Sequence, residues 1–165
     1  MTTAATYTAP SLTVNQHTGQ YGDFSYAFGN LDGSQPDIGV TAEVSTVKLL
    51  TLQGGSEVYG YNFTFGTNGT SSSMKLGFQY KNPAAAAAHP SYGVAAKGFP
   101  TPAIDYFKGA TDTSSAGSAS AMLAVPVRFE LPVEITITAS GVTGAQIPTA
   151  QPLAVGLFFK AKGNN

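Results

Sequence analysis

The chain has no cysteine, no tryptophan and two histidines, and only 10% of its 165 residues are charged. Without cysteine neither a disulfide framework nor a thiolate metal site can form, so stability must come from burial and from neighbouring subunits. A soluble domain ordinarily carries about 25% charged residues. Here Ser, Thr, Ala and Gly fill the deficit, which predicts a neutral, hydroxyl-rich surface. The formal net charge is -1 and the 8 Lys and Arg are scattered singly, which argues against direct nucleic-acid binding, whose footprint is a basic patch. No apolar run approaches the roughly 18 residues of a membrane span. The start, MTTAATYTAPSLTVNQ, shows neither the basic region nor the apolar core of a secretory signal. The expectation is a chain made in the cytoplasm that stays soluble there or assembles into something larger.

Groups that carry chemistry are equally scarce. His17 and His89 are the only imidazoles, and neither lies in a G-x-S-x-G elbow or beside an orienting acid in sequence. No phosphate-cradling glycine motif occurs. Asn30, Asp32, Ser34 and Asp37 around Gly33 offer oxygens, but the loop lacks the closing glutamate of an EF-hand and reads as turn chemistry. Glu130 and Glu134 lie two strand repeats of about 6.6–6.8 Å apart, wider than either glycosidase geometry. They read as a solvated strand face, with Arg128 as a cross-strand partner. Asn62-Phe-Thr64 and Asn68-Gly-Thr70 match the glycosylation pattern, and without a signal segment they read as a strand residue and a turn. No enzyme, cofactor or metal site is predicted.

What the sequence holds in abundance is alternation. In residues 127–139, VRFELPVEITITA, the residues Val127, Phe129, Leu131, Val133, Ile135, Ile137 and Ala139 share one face. This period of two is the mark of a half-buried strand. Pro132 cannot donate a ladder hydrogen bond, so the run is expected to bend there, with one half in each of two sheets. Residues 44–52 read as a strand. In residues 57–65, Tyr59, Tyr61, Phe63 and Phe65 fall on one face and read as core, and Met74, Leu76, Phe78 and Tyr80 form a further strand. The Asn-Gly pair in TNGT between them predicts a hairpin over residues 57–80. Residues 82–103, with Pro83, Pro90, Pro100 and Pro102 around an alanine tract, read as an irregular surface loop carrying one helical turn opened by Pro83 and ended at His89-Pro90. IDYFKG at 104–109 and Leu153, Val155, Leu157 and Phe159 supply further strands.

Short strands at close spacing without a long helix predict an all-β, antiparallel, jelly-roll-like sandwich over residues 40–165. Residues 1–39 are expected to form an extended N-terminal arm, with one short strand candidate where Phe24, Tyr26 and Phe28 alternate with Ser25 and Ala27. Phe24, Tyr26 and Phe28 in this polar arm lack a local core to join and are the predicted partner-binding anchors. Deletion of residues 1–37 is expected to leave the β domain folded.

The succession VSTVKLLTLQGGSEVYGYNFTF, SMKLGFQY, IDYFKGATDTSSAGSA, PVRFELPVEITITASG and LAVGLFFKA resembles small tailed-phage virion proteins, several of which are head decoration or cement proteins. The resemblance implies a non-enzymatic β-sandwich protein located on the capsid surface of a virion. Its implied partners are capsid protein subunits and itself, as a homo-oligomer such as a trimer. Other readings are a tail or fibre-base component, a small jelly-roll coat protein, or a carbohydrate-binding adhesion module with Tyr59, Tyr61 or Tyr80 as stacking platforms.

Overall fold

The computed structural model describes residues 6–8, 24–31, 38–39, 45–67, 72–140, 146–147 and 152–162. Its strands are β1 (Thr6–Thr8), β2 (Phe24–Leu31), β3 (Ile38–Gly39), β4 (Ser45–Leu52), β5 (Ser56–Phe65), β6 (Ser73–Tyr80), β7 (Ala103–Asp112), β8 (Gly117–Phe129), β9 (Val133–Ser140), β10 (Gln146–Ile147) and β11 (Leu153–Ala161). One short helix, α1 (Pro83–Ala87), and a 3-10 turn (Ala95–Lys97) lie between β6 and β7.

Two sheets hold nearly all of this. One runs β2-β11-β5-β8; the other runs β1-β4-β9-β6-β7, and β3 and β10 form a separate small pair. All pairings are antiparallel except β1 with β4. Counting the eight long strands in chain order, one sheet takes the first, eighth, third and sixth, and the other the second, seventh, fourth and fifth. That interleaving is the jelly roll, which the alternation alone could only approximate.

The core follows from the period of two. Val58, Phe63, Phe129, Val155 and Leu157 from one sheet meet Val47, Leu50, Leu76, Ile135 and Ile137 from the other, all fully buried. Phe78 anchors an aromatic cluster with Phe129 at 4.8 Å, Tyr106 at 4.9 Å and Tyr80 at 5.7 Å, mostly edge-on. Burial of each such side chain contributes about 1.5–3 kcal/mol.

Pro132 lies where the sequence placed the bend. Residues 130–132 separate β8 in one sheet from β9 in the other, so the missing N–H falls outside both ladders, and the Pro132 carbonyl accepts from the Lys81 N–H at 3.0 Å. The helical turn at Pro83 also forms, capped by Asn82, whose side chain accepts from the Ala85 N–H.

Four expectations need correction. The hairpin over residues 57–80 does not exist: β5 pairs with β11 and β8, β6 pairs with β9 and β7, so the chain crosses between sheets there. The Asn-Gly pair of that expectation, at 68–69, lies outside the described residues. Second, the arm does not extend to residue 39. β2 is a full strand of the sandwich paired with β11, and its Ala27 and Leu31 are buried in the core. Third, Tyr59 leaves the aromatic stripe. Gly60 and Val58 pair across the sheet with Phe158 and Phe159, so Tyr59 is the extra residue of a bulge and turns outward. Fourth, the glutamate face of β9 is not solvated. Glu134, Thr136 and Thr138 are buried, with Lys48 Nζ 2.9 Å from Glu134 and Gln79 Nε2 donating to it at 2.6 Å. Arg128 pairs with Glu130 two residues along the chain, and it also lies opposite Glu57 in the β5–β8 register, where its charge helps hold that carboxyl down, so a cross-strand charge partner is present but is Glu57.

Candidate docking surface

The outer face of the β2-β11-β5-β8 sheet carries an exposed aromatic cluster. In β2, Ser25, Ala27, Gly29 and Leu31 point inward, so Tyr26 and Phe28 must point out, and they are 43% and 52% exposed. Phe158 lies directly opposite Tyr26 in the register and is 40% exposed. The rings form one group: Tyr26 stacks on Phe28 at 6.4 Å and tilts against Phe158 at 5.1 Å. Gly156 makes room for it, because a Cβ there would overlap the Tyr26 ring and hydroxyl. Gly29 does the same on the inner side, letting β2 lie against the Leu49 carbonyl of β4 and closing that edge of the sandwich.

Of the anchors read from sequence, Tyr26 and Phe28 are thus brought together on a solvent-facing surface. Phe24 pairs with Lys160 through the backbone, and its side chain lies outside the described residues. Their exposure has a different cause from the one expected: they occupy the outer phase of a structured strand. The inward phase of LAVGLFFKA carries the predicted core residues, and Phe158 falls on the opposite phase. The signal was there, since alternation puts Phe158 on the outer face with Ala154, Gly156 and Lys160.

A charged group flanks the cluster. Tyr59 Oη donates to Glu57 at 2.6 Å, Lys162 Nζ lies 3.0 Å from the same carboxylate, and Lys160 Nζ lies 5.6 Å from the Tyr59 ring centroid. Partial burial pushes Glu57 upward, but the hydrogen bond from Tyr59 and the Lys162 ammonium outweigh it, so this carboxyl titrates below its usual range. The Tyr59 phenol is held up by its bond to Glu57, and to a lesser degree by burial.

Tyr61 and Tyr80 are 5% and 1% exposed, so neither can stack a sugar. Burial raises the Tyr80 phenol to about 12, and its hydroxyl donates to the Pro100 carbonyl at 2.9 Å. His89 stacks on Phe99 at 3.8 Å and its Nδ1 accepts from the Ser91 N–H; it orders a loop. His17 and the oxygens of Asp32, Ser34 and Asp37 lie outside the described residues, and Asn30 sits in β2. Among the described residues no cluster of three metal-ligating side chains occurs, and no helix is long and apolar enough to cross a membrane. The arrangement can therefore offer apolar and aromatic contact area, which is the chemistry of recognition.

No protein-family model matches this chain, and no curated protein matches it in sequence. Solved structures do match in fold. A chain of the capsid of Ralstonia phage GP4 superposes with a TM-score of 0.59 at 12% identity, covering 98% of this chain and 100% of that one. A chain of the cyanophage Pam1 capsid asymmetric unit gives a TM-score of 0.52 at 15% identity, covering 89% and 91%.

Proposed function

We propose that this chain is a non-enzymatic structural component of a virion, a capsid decoration or cement protein that binds and stabilises the shell lattice. The observation that carries this reading is the end-to-end likeness in fold to a phage capsid chain of similar length. A jelly roll alone is compatible with many functions. The rest of the molecule narrows the choice toward assembly: low charge, a hydroxyl-rich surface, and an aromatic cluster on an open sheet face.

In this reading Tyr26, Phe28 and Phe158 are the anchors on a capsid subunit. Three touching rings present a rigid apolar surface at low entropic cost, and such residues typically dominate an interface.

The test is to quantify the protein in purified particles relative to the shell subunit, then to measure its binding to shells assembled without it. Wild type is expected at a fixed stoichiometry, with the Tyr26→Ser/Phe28→Ser double variant folded but bound at least about tenfold more weakly. Absence from particles would refute the virion reading, and unchanged binding of the double variant would refute the assignment of this surface.

A further inference from the structure

The connection between β6 and β7 is built as a rigid apolar projection. From residue 81 to 104 it contains no carboxylate; its charged residues are Lys81 and Lys97, both exposed. Ala84, Ala85, Ala87, Ala88 and Pro90 are exposed, and Tyr92 and Val94 follow at 39% and 42%. A run of this kind in water is unfavourable unless something covers it.

It is also held in shape. Asn82 caps α1, His89 stacks on Phe99, and Val94 and Phe99 form an isolated bridge. Tyr80 ties the Pro100 carbonyl from below, and the Gly98 carbonyl accepts from the Glu130 N–H at 2.9 Å. Gly98 has φ +79, and a Cβ there would press on the Glu130 side chain, so the loop seats closely on the β8–β9 corner. A preorganised apolar loop loses little entropy on binding.

We propose that this loop is a second docking element, which inserts Tyr92 and Val94 into an apolar groove rimmed by Asp and Glu on a shell subunit other than the one beneath Tyr26. The proposal rests on the virion reading above. Charge complementarity selects the occupant. The loop offers two lysines and no acid, and the carboxylates that adjoin it, Glu130 and Asp105, are paired with Arg128 and Lys75. A second copy of this chain is a poorer match: its aromatic cluster is flanked by Lys160 and Lys162 with one carboxylate, Glu57, already paired to Lys162, and its exposed Met122 and Val125 lie in a stretch of β8 without any charge. A contact at the loop and another on the open sheet face would let one molecule bridge two shell subunits, which is what a cement function requires.

The test uses the full chain and shells assembled without it. Tyr92→Ala/Val94→Ala gives up the ring contact of Tyr92 with Tyr80 at 6.2 Å but is expected to remain folded, with a cooperative melt, and to bind shells at least about tenfold more weakly. Lys81→Glu/Lys97→Glu should also weaken binding, by a margin that shrinks as salt is raised. If both loop variants bind within twofold of wild type while Tyr26→Ser/Phe28→Ser is impaired, the loop inference is overturned and the virion reading stands. If the loop variants instead lower the mass of a wild-type oligomer in solution without changing shell affinity, the occupant is a second copy and the inference is again overturned. If wild type itself does not bind shells, the virion reading fails first.

Discussion

Gly77 is the position where the fold can be tested most sharply. It lies in β6, and residues 104–107 of β7 bulge past it between the pairs Phe78–Ala103 and Leu76–Lys108. A Cβ at residue 77 would overlap the Ala103 carbonyl oxygen and lie 2.5 Å from the Ile104 carbonyl carbon. Both obstacles are backbone, so no rotamer change relieves them. The start of β7 would have to move, and with it Tyr106 and Phe107, which pack on Phe78 at 4.9 and 6.3 Å. Overpacking that displaces backbone costs about 3 kcal/mol, a large share of the roughly 5–15 kcal/mol that holds a domain. At about 2–4 °C per kcal/mol for a chain of this length, Gly77→Ala should lower the melting temperature by about 6–12 °C. Gly109 supplies the control on the neighbouring strand: a Cβ there meets nothing within 4 Å. Gly109→Ala should be neutral or slightly stabilising, because it restricts the unfolded chain. Thermal melts followed by circular dichroism decide the matter. A Gly77→Ala protein melting within about 2 °C of wild type would mean that β7 does not cross β6 as described.

Glu134→Ala should cost about 2–3 kcal/mol in urea unfolding, since it strands Lys48 and Gln79 in a largely buried network; Lys48 keeps some solvent, which holds the loss below that of a fully buried pair. Glu134→Gln should lose less, and equal losses would show that the charge is immaterial. Glu57 titrates below its unfolded value of 4.5, so its contribution is present above that value and is lost as pH falls through the folded one. Glu57→Gln should flatten the acid limb of the stability profile, and an unchanged limb would contradict the Tyr59–Glu57–Lys162 arrangement. Deletion of residues 1–37 should abolish cooperative unfolding rather than spare the domain, because it removes β2 with buried Ala27 and Leu31; a sharp melt in the truncated chain would contradict the pairing of β2 with β11.

Burial patterns were legible in the sequence to the extent that they were local. The 127–139 run disclosed its inward face, and Pro132 disclosed the bend, because a proline cannot sit in a central ladder whatever surrounds it. Partner identity was not local. Asn-Gly at 68–69 predicts a reversal of direction, but which strand lies beside β5 depends on Leu153–Ala161, nearly ninety residues later in the chain. Tyr59 failed for a related reason: a single-residue bulge inverts the phase of every side chain before it, and Gly60 was the only local hint. The glutamate face of β9 failed because burial there is supplied by Lys48 and Gln79 on the two flanking strands.

The same distinction bears on the candidate surface. Tyr26 and Phe28 were picked out as aromatics with no core to join, and the jelly roll shows that β2 does join the core, through the residues between them. That change strengthens their case as anchors. On a free arm, each ring would have to be immobilised on binding at a cost of about 0.5–1.5 kcal/mol, besides ordering of the backbone. On β2 the backbone is already paired, Tyr26 is already seated over Gly156, and the rings already touch. A surface so prepared can spend its contact energy on the partner, and a shell that binds this protein should therefore do so without a slow ordering step at the aromatic cluster.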